Sequence, residues 1–176
     1  MSEIIENVLA LSRGMGTRPM PLTLARWTEE FRQEFCDTMQ WPLSRLCLRG
    51  PKRAPEVRAD PGQLRQIVWN LCENALRHAM PEDREAPVEL VYGRLIPNAR
   101  PFLEVSDRGP GVAPEHVERI FEPFFIQGSG TGMGLYLARQ LAQTNGATLL
   151  YQARPGGGST FRIIFTDPLR WGARSA

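Results

Sequence analysis

The stretch Gly128 to Leu135, GSGTGMGL, places a glycine at every second position and runs straight into YLARQLAQTNG. From Leu135 the apolar residues Leu135, Ala138, Leu141 and Ala142 recur at helical spacing, and Asn145-Gly146 is a stop signal. A glycine-rich segment abutting a helix start leaves backbone N–H groups free, and the helix dipole there favours negative charge, which suits phosphate. Read alone, the stretch equally fits a flexible linker or a glycine-rich turn between strands. It has no Gly-Lys-Ser/Thr ending, and the preceding FEPFFIQ is a poor match for a strand, so neither a Walker loop nor a dinucleotide fingerprint is indicated.

Two further groups carry chemistry. In LRQIVWNLCENALRHA the residues Leu64, Ile67, Val68, Leu71 and Ala75 form an apolar stripe, with Asn70, Asn74 and Arg77 together on its flank. At about 100° per residue, Asn74 lies roughly 80° and Asn70 roughly 120° from the centre of the stripe, at the border of core and solvent. Asparagine is a poor helix former, so two of them one turn apart are either solvated amides or groups aimed into a cleft. In VSDRGPGV a strand ends at Asp107, and Gly109 and Gly111 permit a backbone path that residues with a Cβ resist. A carboxylate at a strand end can accept a hydrogen bond from an exocyclic amine while glycines admit a flat ring; an ordinary Asp/Gly turn has the same look.

The elements that must position these groups follow from periodicity. Leu24, Trp27, Phe31 and Phe35 mark one helix and residues 61–79 a second; LSRLCLRG and PEVRA read as short strands. PVELVYGRLI and PFLEVSD alternate as a strand pair, Pro114 to Arg119 suggests a short helix, and ATLLYQA and GGGSTFRIIF are strands joined by a glycine turn. Helices among mostly hairpin-connected strands predict an α+β fold, with one helical layer on one face of a sheet. SEIIENVLALSR, with Ile4, Ile5, Val8, Leu9 and Leu11 on one face, predicts a further helix, and GMGTRPMP reads as a linker.

Composition narrows the classes. The chain has 176 residues, with 21 Lys+Arg against 19 Asp+Glu and no basic run interleaved with aromatics, which disfavours nucleic acid. Three separated cysteines, Cys36, Cys47 and Cys72, make neither a disulfide framework nor a zinc site and point to a reducing cytoplasm. No stretch approaches membrane-spanning length, so no direct membrane contact is expected, and Glu3 and Glu6 spoil a signal peptide.

Taken in order, NLCENALRH, DRGPGV, IFEPFF, GTGMGLYLARQLAQTNGA and GGGSTFRIIF resemble the N, G1, F and G2 boxes of the ATP-binding domain of bacterial sensor histidine kinases. That family shares its nucleotide fold with the Hsp90-type chaperone, DNA gyrase and MutL. The match covers about residues 60 to 166, and within the family the sequence looks most like PilS/NtrB-like kinases, which act with activators of sigma-54 transcription. The resemblance implies a two-layer α/β sandwich with a mixed sheet, the Bergerat or GHKL fold. It implies that residues 1–13 end a helix of the dimerisation and phosphoacceptor domain, 14–21 form a linker, 22–168 form the catalytic domain and 169–176 a tail. It further implies ATP with Mg²⁺ as cofactors. Asp107 would bind the adenine amino group, with Gly109, Gly111 and Val112 shaping the base pocket. Asn74 would ligate Mg²⁺ with Asn70 beside it, and Arg77 would lie near the phosphates. His78 would be a phosphate neighbour or a helix-end residue. Thr131, Gly132, Met133, Gly134 and Leu135 would supply the phosphate-binding helix start, and Thr160 would lie by the adenine.

The implied activity is transfer of the γ-phosphoryl group of ATP to a histidine of an adjoining helical domain, then to a response regulator, in a cytoplasmic part of a membrane-anchored parent. Two departures stand out. After the F box this chain has IQG where many relatives have a TTK-like stretch, and neither of its two histidines, His78 and His116, has the phosphoacceptor setting. A nucleotide-sensing module without transfer is the alternative that IQG keeps open. A related ATPase is another, although such relatives place a water-activating carboxylate where this chain has Asn70.

Overall fold

Asp60 opens the central helix. Its Oδ1 accepts from the N–H groups of Gly62 at 2.9 Å and Gln63 at 3.0 Å, and Pro61 follows at the first helical position, where its missing N–H costs nothing. Such a cap contributes about 1 kcal/mol. Burying each large side chain of the stripe contributes about 2 kcal/mol, so the stripe anchors the helix and the cap fixes its start. Leu64, Ile67, Val68, Leu71 and Ala75 are all buried, as the spacing predicts, and Cys72 joins them.

The computed structural model describes residues 16–78, 87–126 and 130–166. In chain order these form β1 (Met20–Thr23), α1 (Leu24–Met39), β2 (Leu46–Arg49), β3 (Glu56–Ala59), α2 (Pro61–Arg77), β4 (Val88–Arg94), β5 (Pro101–Ser106), α3 (Gly134–Thr144), β6 (Thr148–Ala153) and β7 (Ser159–Ile164). Five strands make a mixed sheet in the order β2-β4-β5-β7-β6; β2 runs parallel to β4 and the other neighbours are antiparallel. The β2 to β4 connection carries α2, the crossover that a parallel pair requires. Leu46, Leu90, Leu103, Val105, Leu149, Phe161 and Ile163 point from the sheet into one core with the apolar faces of α1, α2 and α3. The opposite face carries Glu89, Glu104 and Arg162, with Glu104 and Arg162 ion-paired. The predicted α+β architecture, with helices on one face of the sheet, is the observed one.

Several elements differ from the sequence reading. LSRLCLRG contributes only Leu46–Arg49 as strand, because Leu43–Arg45 are wound into a 3₁₀ turn. The short helix expected at Pro114 to Arg119 is a three-residue 3₁₀ turn, Pro114–His116, followed by further turns. Met20 and Pro21, read as the end of a linker, begin β1 and pair with Ala59 and Arg58. A two-stranded ribbon has free edges and tolerates proline, and Arg18 N–H donates to Asp60 Oδ2 at 2.9 Å just before it. The expected N-terminal helix at residues 2–12, the tail at 169–176, and Gly128 with Ser129 lie outside the described residues.

Candidate functional site

β5 delivers Asp107 to the end of the sheet, where the chain stops pairing and turns. The carboxylate is 6% exposed. Its Oδ1 accepts from the N–H groups of Gly109 at 2.7 Å and Ser159 at 3.2 Å. Burial pushes this carboxyl above its ordinary range, and the Gly109 and Ser159 bonds pull the other way without cancelling it. Gly109 must be glycine here, since a Cβ would fall 2.7 Å from the His78 carbonyl oxygen. Gly111 has φ +75°.

α2 passes beside this loop. Asn70, Asn74, Arg77 and His78 line a cleft of about 350 Å³ together with Asp107, Gly111, Val112, Gly132, Gly134 and Leu135. The flank predicted from helical spacing thus faces a cleft. Burial, reinforced by the neighbouring Arg77 charge, holds His78 below the ordinary imidazole range, so it is neutral at pH 7. The guanidinium of Arg77 lies against Gly130.

α3 packs antiparallel to α2. Asn70 Nδ2 donates to the Gly134 carbonyl at 3.2 Å at one end, and Asn145 Nδ2 donates to Gln63 Oε1 at 2.6 Å at the other. Unlike α2, α3 has no side-chain cap, and it has no acidic residue in its first turn to compete for its N–H groups. Its start, at Gly134 and Leu135, lines the cleft without a side-chain cap, an arrangement that attracts anions. Gly132, with φ +70°, seats this helix start on the chain before it: Phe124 N–H donates to Gly132 O at 3.1 Å.

Four expected site residues do not line the cleft. Gly109 sits behind Asp107. Thr131 Oγ1 accepts from Met133 N–H at 3.4 Å, and Met133 is buried. Thr160, expected by the adenine, turns to the other face of the sheet, where its hydroxyl is 2.9 Å from Ser106 Oγ. Strand parity explains this correction: Phe161 faces the core, so Thr160 must face away and Ser159 toward the cleft, which Ser159 lines.

Other lining residues went unread. Gln66 and Glu73 lie four residues before and three after Asn70, on the same helix flank, and helical spacing could have found them. Trp69 lines the cleft while packing edge-on against Phe35 at 4.7 Å. Ile120 and Phe125 of IFEPFF and Phe161 of GGGSTFRIIF supply apolar walls. His116 packs against the Phe125 ring at 5.4 Å.

The cleft thus has a buried acceptor at one end, apolar walls, and amides with an uncapped helix start further along. Among the described residues no group of three or more His, Cys, Asp or Glu could hold a metal ion. The amides of Asn70 and Asn74 suit a hard ion that completes its shell with phosphate oxygens and water.

The family model described as histidine kinase-, DNA gyrase B-, and HSP90-like ATPase matches residues 59–169. The sensor protein kinase PilS of Pseudomonas aeruginosa is 39% identical over 169 residues, covering 96% of this chain and 32% of the relative. The sensor histidine kinase YkoH of Bacillus subtilis is 32% identical over 129 residues, 69% of this chain and 27% of the relative. The chain therefore spans about a third or less of the length of these two relatives. Among solved structures, full-length ShkA in complex with AMPPNP superposes with a TM-score of 0.71 at 26% identity, over 93% of this chain and 36% of that one. The mycobacterial sensor histidine kinase MprB superposes with a TM-score of 0.67 at 20% identity, over 84% of this chain and 97% of that one, which bears on fold alone.

Proposed function

Since the chain belongs to the histidine kinase-, DNA gyrase B- and HSP90-like ATPase family, we propose that it is the ATP-binding catalytic domain of a sensor histidine kinase. In this reading it transfers the γ-phosphoryl group of ATP to a histidine on an adjoining helical domain. The observation that carries the reading is the convergence in one cleft of Asp107, the Asn70–Asn74 flank and the uncapped start of α3.

Each part has a role in the proposed reaction. Asp107 accepts a hydrogen bond from the exocyclic amine of adenine, Gly111 and Val112 contact the ring, and Ile120 and Phe161 exclude water from it. The phosphates run toward Gly132, Gly134 and Leu135, whose N–H groups and helix dipole stabilise their charge. Arg77 adds a fixed positive charge. Mg²⁺, held by the Asn74 amide with Asn70 beside it, would neutralise charge on the phosphates. A neutral imidazole nitrogen on the acceptor domain forms the new N–P bond as the bond to the β-phosphate oxygen breaks and ADP leaves. Such transfer depends on positioning and electrostatic stabilisation, so no strong general base is required. Asn70 occupies the place where the ATPase relatives carry the glutamate that activates water, which favours transfer over hydrolysis.

On the same reading residues 1–13 end a helix of the phosphoacceptor domain, 14–21 join it to a catalytic domain at 22–168, and 169–176 form a tail. The phosphoryl group passes on to a response regulator, of the sigma-54-dependent activator class if the likeness to PilS extends that far. Among the described residues no helix is long and apolar enough to cross a membrane. A cytoplasmic domain of a membrane-anchored parent fits this.

The deciding experiment supplies this chain in trans, with radiolabelled ATP and Mg²⁺, to the parent protein's phosphoacceptor domain. Acid-labile, base-stable label on that domain is the expected result. Nucleotide binding without label, both in trans and after covalent fusion of the two domains, would favour the nucleotide-sensing module that IQG after the F box keeps in play. A second test addresses the metal. Asn74→Ala should weaken ATP binding on the order of tenfold or more with Mg²⁺ present and much less in its absence. Equal losses by calorimetry would remove Asn74 from the metal site.

A further inference from the structure

The loop from Asp107 to Val112 carries the proposed base contacts, yet Gly109, Pro110 and Gly111 give it few side chains with which to hold itself in place. Two residues of the β6 hairpin arm do so instead. Tyr151, on the helix side of β6, accepts a hydrogen bond from Val112 N–H through its hydroxyl at 3.1 Å. Its ring packs at 5.5 Å on Phe161, which lines the cleft. Arg154, one residue beyond the strand, donates from Nη1 to the Asp107 carbonyl oxygen at 3.3 Å and from Nη2 to Glu89 Oε1 at 3.3 Å. Glu89 is buried, and the same oxygen has Arg49 Nη2 at 3.6 Å. The hairpin returns tightly, with Arg154 N–H bonded to Gly158 O and Gly157 N–H to Arg154 O, both at 3.1 Å. The loop is therefore gripped at its first carbonyl and its last N–H by one edge strand and its turn.

We propose that Tyr151 and Arg154 are positioning residues for nucleotide recognition, bracing the 107–112 loop so that β6, which itself supplies no lining residue, sets the affinity for the base. The inference rests on the reading that adenine binds at Asp107. A tyrosine hydroxyl is needed because the group to be held is a backbone N–H that would otherwise stay partly buried without an acceptor. Arg154 suits the other end because its planar fork serves two oxygens at once, the carbonyl of Asp107 in the loop and the carboxylate of Glu89 on β4.

The test is Tyr151→Phe, which removes one oxygen and keeps the ring. Dissociation constants for adenosine, ADP and ATP, measured by calorimetry well below the melting temperature, should each rise by the same factor of about five, the size expected for one neutral hydrogen bond. Arg154→Met should act in the same direction with the same lack of discrimination among the three ligands, while Arg49 remains beside Glu89. A purely structural role would lower the melting temperature and leave the three constants unchanged, and that result overturns the brace. So does a loss confined to ATP, which would place the effect at the phosphates. If the unaltered chain binds none of the three ligands, the assignment of the base to Asp107 falls and takes this inference with it. Binding by the unaltered chain with no change in either variant removes the brace alone.

Discussion

Replacing Asp107 by asparagine should lower affinity for adenine nucleotides on the order of a hundredfold, the loss expected for a buried hydrogen bond to a charged group, while leaving the empty protein at least as stable. The carboxylate accepts inward from Gly109 and Ser159 and outward, in the proposed complex, from the base amine. An amide has only one oxygen to offer. Turned inward it satisfies the two N–H groups and presents its own NH₂ to the base; turned outward it sets that NH₂ against Gly109 N–H. Either orientation opposes donor to donor once nucleotide is bound. In the empty protein the inward orientation has no such conflict.

The sign of the stability effect follows from the raised carboxyl. Burial lifts the folded pKa above the unfolded value of about 3.9. The folded state therefore binds the proton more tightly, and the stability this contributes is full below pH 4 and is lost as pH rises through the folded pKa. Asparagine does not titrate. Melting temperatures of the two proteins should diverge in favour of the variant as pH rises from about 4 toward neutrality. A variant that binds ATP normally by calorimetry would remove Asp107 from the base pocket. One that melts lower at pH 7 than at pH 4, relative to the unaltered protein, would refute the electrostatic account.

The second large effect is expected at Gly132. A Cβ there would fall 2.6 Å from the Phe124 carbonyl carbon and 2.8 Å from Phe125 N, at a backbone φ of +70° that side chains resist. Gly132→Ala must push the glycine loop off the IFEPFF segment and with it the start of α3. ATP affinity should fall tenfold or more, by analogy with other losses of supporting contacts around a site, and adenosine affinity by much less. Gly134→Ala is the informative companion. No atom lies within 4 Å of a Cβ at Gly134, and alanine is the better helix former by up to about 1 kcal/mol. That variant should melt no lower than the parent, yet still discriminate against ATP over adenosine if phosphate approaches this backbone. Equal losses for the two ligands in both variants would mean that the glycines serve folding.

How much of this was readable beforehand depended on the kind of signal. The α2 stripe and its flank were legible because one period governs 17 residues, and a long periodic element averages out local exceptions. The place of Asp107 at a strand end facing the cleft was legible because a strand end, a carboxylate and two glycines coincide in six residues. Thr160 was misread although STFRII contained the answer: with Phe161 and Ile163 inward, alternation leaves Ser159 inward and Thr160 outward. Strand β1 was hidden because two prolines in RPMPLT look like a linker, and only its pairing with β3, more than thirty residues away, makes it a strand. The brace on the base loop is a tertiary contact between residues 39 apart, and nothing local announces it.

The far end of the α2–α3 pair has a mechanical consequence. Asn145 caps one helix and clamps the other: its Oδ1 accepts from Asp60 N–H at 2.7 Å, and its Nδ2 donates to Gln63 Oε1 at 2.6 Å and to Leu141 O at 2.9 Å. At the cleft end a hydrogen bond of 3.2 Å, from Asn70 Nδ2 to the Gly134 carbonyl, links the same two helices. The pair is thus hydrogen-bonded more densely at the rear than at the cleft, with the apolar side chains of Leu137, Ala138, Leu141 and Ala142 buried along the length between. Seating a ligand between Asn70 and Gly134 therefore disturbs fewer polar contacts of the helix pair than any change at Asn145 would.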